Sequence, residues 1–254
     1  MIRSTFSFLP GIDDRVENNL RLQGIKDWNG FLNSRFIKGL SPKRKYFYDR
    51  QIVEMKKAIA GGDASTLAQK IPLDEHWKLY DHFKEEAVFL DIETTGLGEL
   101  DQVTVVGLFD GFATKTMVQG VNLDAAAIAG EMKNYKMYVT FNGSVFDVPF
   151  IEKQFPGTLP KLPHFDLRFA CKKVGLTGGL KEIEKKLGIS RDNPLVQRMH
   201  GGDAVTLWRM YKATGDEHYL KLLIDYNEED IVNLKTIADV VYSRLSDGIP
   251  LSPK

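Results

Sequence analysis

The stretch EEAVFLDIETTGL, residues 85–97, decides the fold of this 254-residue chain. Its apolar centre is short and is bounded by acidic residues and a glycine, a pattern typical of a buried β-strand. Asp91 lies near the end of that strand, and Glu93 follows two residues later. Side chains two apart on a strand point to the same face. Both carboxylates can therefore reach one cation, although Asp-x-Glu alone also occurs at strand ends where the acids are simply solvated.

The three residues after Glu93 are Thr94, Thr95 and Gly96. Small side chains and a glycine allow the backbone of a substrate to approach closely. The sequence therefore predicts that these three residues bind substrate beside the two acids.

Segments 102–111 and 113–120 are rich in β-branched residues and meet at Asp110-Gly111, a strong hairpin signal. They predict two antiparallel strands beside the first, with Asp110 in the turn. Two later strands are predicted at 136–143 and 164–168, with helical spacing before, between and after them. This order predicts an α/β protein with a central mixed five-stranded sheet, an antiparallel meander followed by parallel strands, flanked by helices.

A third acid, Asp147, lies in FNGSVFDVPF, residues 141–150. The segment predicts a helix that begins just after the Asn142-Gly143 turn, with Asp147 in its first turn or two. A lone carboxylate among phenylalanine and valine side chains is costly to bury without a partner. A metal ion would be such a partner, and stabilisation by the dipole of the helix N-terminus is the alternative.

The fourth acid, Asp230, lies four residues after Tyr226 in IDYNEEDIV. On a helix these two residues share one face. The segment also fits a capping box, with Asp225 as the N-cap and Glu228 three residues later, which would start a helix at this point. In both cases Tyr226 and Asp230 are predicted to point inward, whereas Glu228 and Glu229 are predicted to face water.

Four acids brought together without counter-ions would repel one another and raise one another's pKa values. Divalent cations resolve this conflict. Oxygen ligands without an accompanying cluster of His or Cys favour Mg²⁺ or Mn²⁺ over zinc. The sequence thus predicts a carboxylate site for Mg²⁺ or Mn²⁺ built from Asp91, Glu93, Asp147 and Asp230.

The ordered set FLDIETTGL, FNGSVFDVPF and YNEED resembles the DEDD 3′-to-5′ exonucleases, in the variant whose last motif is Tyr-x-x-x-Asp. From about residue 88 to 240 the chain is also similar to the YprB-like ribonuclease H domain family, including LKEIEKKLGI, HGGDAVTLWRMY and LLIDYNEEDIVNL. The resemblance implies a ribonuclease H-like fold and hydrolysis of phosphodiester bonds by a mechanism with two metal ions. It implies DNA or RNA as the substrate, as a single strand or a 3′ end.

The resemblance also implies a role for each acid. Asp91 would bridge both metal ions, Glu93 and Asp230 would complete the first metal site, and Asp147 would hold the second. Two other functions stay open on the sequence: a structure-selective endonuclease, and a non-catalytic module that binds nucleic acid.

Further residues receive roles from the same resemblance. Tyr226 would orient the attacking water, and Asn142 and Phe146 would contact the substrate. In HFDLR, Asp166 would either support the metal site or cap a helix. Arg168 would contact a phosphate or form an ordinary surface ion pair.

Residues 1–80 show no strand-like alternation, only short helical stretches. They predict a small helical N-terminal region and linker, with the nuclease domain at 81–254. Within the first region, SPKRKYFYDR interleaves Lys43, Arg44 and Lys45 with aromatic residues. This composition predicts either a surface that binds single strands or a solvated helix start whose aromatic residues face the core.

The overall composition is that of a globular protein, with 34 basic and 34 acidic residues. Nucleic acid must therefore be bound by local patches rather than by an overall positive charge. The single cysteine, Cys171, excludes an internal disulfide and a cysteine-based zinc site, and indicates a reducing compartment. The first residues lack the apolar core of a signal peptide, and no apolar run approaches the roughly 20 residues of a membrane span. These observations predict a cytoplasmic protein that does not enter a membrane.

Overall fold

The computed structural model describes residues 1–199 and 201–248. His200, which begins one of the stretches that carry the family resemblance, lies outside the described residues. The chain divides into two compact units. The first comprises Met1–Asp81 together with Lys161–Pro163, and the second comprises His82–Pro160 and the chain from His164 onward.

The first unit is helical throughout. Its α-helices are α1 (Asp14–Leu22), α2 (Trp28–Asn33), α3 (Pro42–Ala60) and α4 (Ala64–Lys70), with short 3₁₀ segments at Ile2–Ser4 and Leu73–Leu79. Each α-helix begins after an Asp or Ser whose side chain accepts a hydrogen bond from a backbone N–H of the first turn. The core of the unit contains the buried aromatic side chains Phe6, Trp28, Phe31 and Tyr48.

The basic residues of SPKRKYFYDR lie at the start of α3, after the N-cap Ser41. Lys45 is buried and pairs with Asp49 at 2.6 Å. The Nε of Arg44 donates to the hydroxyl of Tyr48 at 2.6 Å. Two of the three cations therefore serve the helix and its core, which the interpretation as a solvated helix start did not expect. Of the three aromatic residues in this stretch, only Tyr48 faces the core, whereas Tyr46 and Phe47 are exposed.

The second unit contains a five-stranded sheet with strand order β3-β2-β1-β4-β5. The strands are β1 (Ala87–Thr94), β2 (Val103–Phe109), β3 (Thr114–Val118), β4 (Met137–Thr140) and β5 (His164–Asp166). The first three pair antiparallel, whereas β4 and β5 run parallel to β1. The predicted α/β fold, a mixed sheet with an antiparallel meander followed by parallel strands, is confirmed.

The turn between β2 and β3 depends on Asp110, as predicted. Its Oδ1 accepts hydrogen bonds from the backbone N–H groups of Phe112 and Ala113, both at 2.8 Å. A side chain that binds its own following backbone in this way stabilises a tight turn.

Helices flank the sheet and continue to the end of the described chain. They are α6 (Ala125–Met132), α7 (Asp147–Gln154), α8 (Leu167–Lys173), α9 (Leu180–Leu187), α10 (Pro194–Arg198), α11 (Gly201–Thr214) and α12 (Glu217–Asp247). The short helix α5 (Tyr80–Phe83) includes the point in the chain where the first unit ends and the second begins. Between residues 1 and 248, leaving out position 200, no helix combines the length and the apolar character that crossing a membrane requires.

One predicted helix start is wrong, and one predicted capping box does not form. The start of α7 is Asp147 rather than the residue after the Asn142-Gly143 turn, because residues 143–146 continue the turn. The start of α12 is Glu217, whose N-cap is Asp216, so the capping box at Asp225 does not form. The apolar face of α12 is buried from Leu223 onward, and this continuous packing overrides the local capping signal at Asp225.

The buried face of α12 packs on β1 and β2, and it carries Tyr226 and Asp230 as predicted. Trp208 on α11 is buried in an apolar cluster with Val105 and Leu223, and Tyr211 packs against that cluster. Cys171 on α8 is also buried. Helix α12 therefore places the last motif, with Tyr226 and Asp230, at the end of β1.

Candidate metal centre

The end of β1 and the middle of α12 bring three acids together. One carboxylate oxygen from each of Asp91, Glu93 and Asp230 lies within 4.8 Å of the others. Glu93 and Asp230 are buried, and Asp91 is half-buried. Asp91 and Glu93 lie two residues apart on β1, so their side chains point to the same face, as the sequence predicts.

Asp147 lies beside this group of three acids rather than within it. It is the first residue of α7 and is 2% exposed. Its Oδ1 accepts a hydrogen bond of 3.0 Å from the backbone N–H of Ile92, the residue between the two acids of β1. This bond fixes one oxygen of Asp147 against the strand. The structure therefore brings the four predicted acids together, and Asp147 lies beside the group formed by the other three.

The environment strongly favours the protonated forms of these acids. Burial, and then the charges of Asp147 and Asp230, raise the pKa of Asp91 well above its usual value. Burial and the charges of Asp230 and Asp147 do the same to the pKa of Glu93. Burial raises the pKa of Asp147 to about 7, although its backbone hydrogen bonds oppose the shift. A cation in the cluster would reverse these shifts, because it favours the ionised carboxylates.

One member of the cluster already has a cationic partner, which sequence reasoning missed. The buried guanidinium of Arg191 forms an ion pair with Asp230. Its Nε and Nη2 each donate to Glu184 on α9 at 2.9 Å. Burial raises the pKa of Asp230 to about 6, and Arg191 limits this rise. The expectation that the four acids have no counter-ion is therefore wrong for Asp230. No sequence motif around Arg191 indicated this ion pair.

A second missed residue, Asn227, supports Asp91 directly. Its Nδ2 donates to Asp91 Oδ2 at 2.9 Å. Asn227 reaches this position because Gly107 on β2 lies opposite Asp91 and has no side chain. A Cβ at Gly107 would lie 1.9 Å from Asn227 Oδ1. A glycine inside a strand signals close approach by another group, so Gly107 was the available clue.

Tyr226 is packed between the apolar cluster of Trp208 and two cations. The guanidinium carbon of Arg191 lies 5.6 Å from the centre of its ring, and the ammonium of Lys181 lies 5.1 Å away. Burial, and then the charges of Asp230 and Glu93, raise the pKa of its phenol. The hydroxyl therefore stays protonated beside the acids, where it can donate a hydrogen bond but cannot act as a base.

The loop after Glu93 is held by its own side chains. Thr94 Oγ1 donates to the carbonyl of Gly96 at 2.6 Å, and Thr95 Oγ1 donates to Asp101 Oδ1 at 2.6 Å. A Cβ at Gly96 would lie 2.6 Å from the Asp101 carboxylate. The structure thus shows that the contact with Asp101 requires a glycine at position 96, which the sequence did not reveal. The role of this loop in binding substrate stays a prediction.

The turn before Asp147 is built around Asp166. The two oxygens of Asp166 accept hydrogen bonds from the backbone N–H groups of Asn142 at 2.8 Å and Ser144 at 3.0 Å. Asp166 also caps α8 by accepting from the backbone N–H of Arg168. The expectation that Asp166 caps a helix is confirmed, while its support of the metal site stays a prediction. The Nη1 of Arg168 donates to Asn142 Oδ1 at 2.8 Å, a contact that neither expectation for Arg168 anticipated.

The remaining residue predicted to contact substrate, Phe146, lies at the end of this turn. Its ring packs against Phe150 with their centres 4.8 Å apart. Phe146 is half-buried and directly precedes Asp147. It therefore lies at the edge of the cluster rather than inside it.

The prediction that Glu228 and Glu229 face water is wrong. Both are half-buried, because β3 and the segment before α10 pack along α12. Glu228 Oε1 accepts from Thr116 Oγ1 at 3.0 Å, and Glu229 Oε1 accepts from the backbone N–H of Asn193 at 2.8 Å. These two acids join elements together beside the cluster.

The donor set fits a hard divalent cation. All four acids offer only carboxylate oxygens, which is the chemistry that Mg²⁺ and Mn²⁺ prefer. Glu93, Asp147 and Asp230 are buried and Asp91 is half-buried, and the contacts described above give a cationic partner to Asp230 only. A bound cation would therefore supply the charge that Asp91, Glu93 and Asp147 need when ionised.

This chain is distantly similar to solved structures and matches one protein family model. A solved structure described as the apo form of a nuclease is 18% identical, covering 70% of this chain and 80% of that chain, with a TM-score of 0.49. A family B DNA polymerase from the archaeon Pyrobaculum calidifontis is 15% identical over 63% of this chain and 24% of the polymerase, with a TM-score of 0.44. No curated protein sequence gives a significant match. The family model of the RNase H superfamily matches residues 88–242, which is more than half of the chain, and the protein therefore belongs to the RNase H superfamily.

Proposed function

We propose that this protein is a 3′-to-5′ exonuclease that hydrolyses phosphodiester bonds of DNA or RNA with two divalent cations, Mg²⁺ or Mn²⁺. Membership of the RNase H superfamily supports nuclease activity in general. The observation that carries the proposal is the position of Asp91, Glu93 and Asp230, whose oxygens lie within 4.8 Å of one another at the end of the central strand. The polarity is supported by the order of the three motifs and by the Tyr-x-x-x-Asp form of the last one.

The acids of the cluster would hold the cations. Asp91 is the acid whose pKa is raised by the charges of all three others, Asp147, Asp230 and Glu93. It is therefore the candidate to bridge two ions, while Asp147, with its Oδ1 on the Ile92 N–H, would offer its second oxygen. When bound, the cations would supply Lewis-acid stabilisation of the phosphoryl group and an activated water.

Other residues would position the reacting groups. The neutral hydroxyl of Tyr226 lies beside the acids and would orient the attacking water by hydrogen bonding. Asn227 holds Asp91 Oδ2, and Arg191 holds Asp230, so each carboxylate keeps its free oxygen directed toward the site. Thr94, Thr95, Gly96, Asn142 and Phe146 form the two loops beside the cluster and would contact the terminal nucleotides of the substrate.

The test uses single-stranded DNA, duplex DNA and RNA of one sequence, each labelled at the 5′ end or the 3′ end and incubated with Mg²⁺ or Mn²⁺. We expect the 3′ label to appear first as a mononucleotide and the 5′ label to shift through a ladder of shortening products. Circular single-stranded DNA should resist cleavage. Internal fragments or cleavage of the circle would instead show an endonuclease, and binding without cleavage would show a non-catalytic module. Asp91→Asn protein, purified in parallel, controls for contaminating nucleases.

A further inference from the structure

A groove of about 870 Å³ opens on the second unit between the turn that precedes Asp147 and helix α8. Its volume is within the range of sites that bind small ligands, roughly 300 to 1,000 Å³. It is separate from the acid cluster, since none of the four acids lines it. The lining residues that matter here are Phe141, Asn142, Val145, Arg168, Phe169 and Lys172.

The groove exposes large apolar side chains next to cations. Phe169 is 50% exposed and Val145 is 62% exposed. Arg168 and Lys172 are also exposed, and together with Phe169 they project from α8. Exposed aromatic rings interleaved with positive charges suit a single nucleic-acid strand, whose bases stack on the rings while its phosphates meet the cations.

The segment that forms this wall is basic, although the chain as a whole is neutral. Between residues 167 and 191 the acidic residues are Glu182 and Glu184 alone, and both are paired, with Lys186 and Arg191 respectively. The exposed basic residues of the same segment are Arg168, Lys172, Lys173, Lys185 and Lys186. This local excess of positive charge is the kind of patch that a neutral protein needs in order to bind nucleic acid.

The groove and the acid cluster share one loop. Asn142 lines the groove, and it is held by Arg168 through its side chain and by Asp166 through its backbone. Asn142 is also the one non-glycine residue with positive φ in the described chain, at 69°. Five residues later the same loop ends at Asp147. The loop therefore connects the wall of the groove to one acid of the cluster.

We propose that this groove binds the single-stranded part of the substrate upstream of the cleaved end. Phe169 stacks on a base, and Lys172 and Arg168 neutralise phosphates. The inference rests on the proposed function, because it makes the groove the approach to the metal centre.

The first test measures binding without cleavage. Fluorescein-labelled oligothymidylate of 12 nucleotides is titrated with the full chain in chelator, and the dissociation constant is followed by anisotropy against salt concentration. We expect Phe169→Ala to weaken binding about tenfold, since the stacking of one base is lost. Lys172→Gln should reduce the slope of log K against log salt by about one. Matched controls are Phe112→Ala, which removes an 85% exposed ring at the β2–β3 turn, and Lys133→Gln, which removes an exposed cation after α6.

The second test separates the groove from the metal centre. The p-nitrophenyl ester of thymidine monophosphate is small enough to occupy the cluster alone, whereas the 12-nucleotide strand needs both. We expect Phe169→Ala and Lys172→Gln to raise KM for the strand and to leave hydrolysis of the ester unchanged. Equal losses of activity on both substrates would overturn the proposal that the groove binds the strand. Variants that bind the strand as tightly as wild type would overturn it as well. Displacement of the strand by polyglutamate of equal length at equal concentration would also overturn it. If the wild-type protein cleaves neither substrate, the exonuclease proposal fails. The binding titration still tests whether the groove binds the strand.

Discussion

Arg191 and Asp230 form a buried ion pair in which the guanidinium also holds Glu184 through two hydrogen bonds. Glu184 in turn accepts from Asn233 at 2.9 Å, so the network joins α9 to α12 at Asp230 and at Asn233. A carboxylate held in this way has one oxygen fixed on the guanidinium and can present the other to a cation. The relationship shows that the orientation of Asp230 is set from outside the motif that contains it.

Replacement of Arg191 by Gln should therefore destabilise the fold in chelator. Asp230 and Glu184 would be left buried without their cation, and breaking a buried pair in this way typically costs about 3 to 5 kcal/mol. The measurement is the free energy of unfolding in urea. Arg198→Gln on α10 is the matched control, because this arginine is exposed and should change stability by about 0.5 kcal/mol at most. Equal stability of the two variants would show that the pair does not support the fold.

Asp147→Asn should change how stability depends on pH in the absence of metal. The folded-state pKa of Asp147 is raised to about 7, whereas an unfolded chain loses the proton near the usual pKa of 3.8. Between these values the folded protein binds more protons than the unfolded chain, so its stability falls as pH rises. The variant lacks this titration. It should match wild type near pH 4 and be more stable near pH 8.

Thermal melts of both proteins from pH 4 to 8 in chelator check this expectation. Parallel curves across that range would mean that Asp147 is ionised freely in the folded state. In the nuclease assay with Mn²⁺, the same variant should lose roughly 10² to 10³ in rate, as is typical when one electrostatic contact to a transition state is removed.

Tyr226→Phe should be a milder change than Asp147→Asn. Removal of the hydroxyl leaves all four acids in place and keeps the ring packed under Arg191. Losing a water-orienting group should therefore lower kcat with little effect on the Mn²⁺ concentration that gives half-maximal rate. Steady-state kinetics at varied Mn²⁺ measure both quantities. If Tyr226→Phe is the more damaging of the two variants, the assignment of the acids as metal ligands is wrong.

Gly107→Ala tests the support of Asp91 by Asn227. The added methyl would lie 1.9 Å from Asn227 Oδ1, so Asn227 must move and its bond to Asp91 is lost. Overpacking of this kind typically costs about 1 to 3 kcal/mol, and Mn²⁺ binding should weaken as well. Gly130→Ala is the control, because nothing lies within 4 Å of its added Cβ in α6, and it should be neutral or stabilising. Urea unfolding and a titration with Mn²⁺ give the two readouts.

The parts of the site that lie within one element were predictable from local spacing. Asp91 and Glu93 alternate on one strand, and Tyr226 and Asp230 lie one helical turn apart, so periodicity alone placed each pair on one face. The two pairs meet because α12 packs against β1. The sequence anticipated this packing only through the family resemblance of the ordered motifs.

The parts that local spacing missed depend on distant contacts. Arg191 follows a helix without any motif, and its role appears only when α9 and α12 pack together. The start of α12 shows the same limit, because Asp225 and Glu228 have the residue types of a cap but lie inside a helix whose apolar face is already buried. Glu228 and Glu229 were misplaced for this reason too, since their partners belong to other elements.

The most direct test of the central claim is the rate at which the protein releases mononucleotides from a 3′-labelled single strand as Mn²⁺ is titrated from excess chelator upward. If Asp91, Glu93, Asp147 and Asp230 hold the catalytic cations, the rate is zero in chelator, rises to saturation with Mn²⁺, and stays at background for Asp91→Asn at every concentration. A rate that does not depend on Mn²⁺, or an Asp91→Asn protein that cleaves as fast as wild type, would contradict the claim.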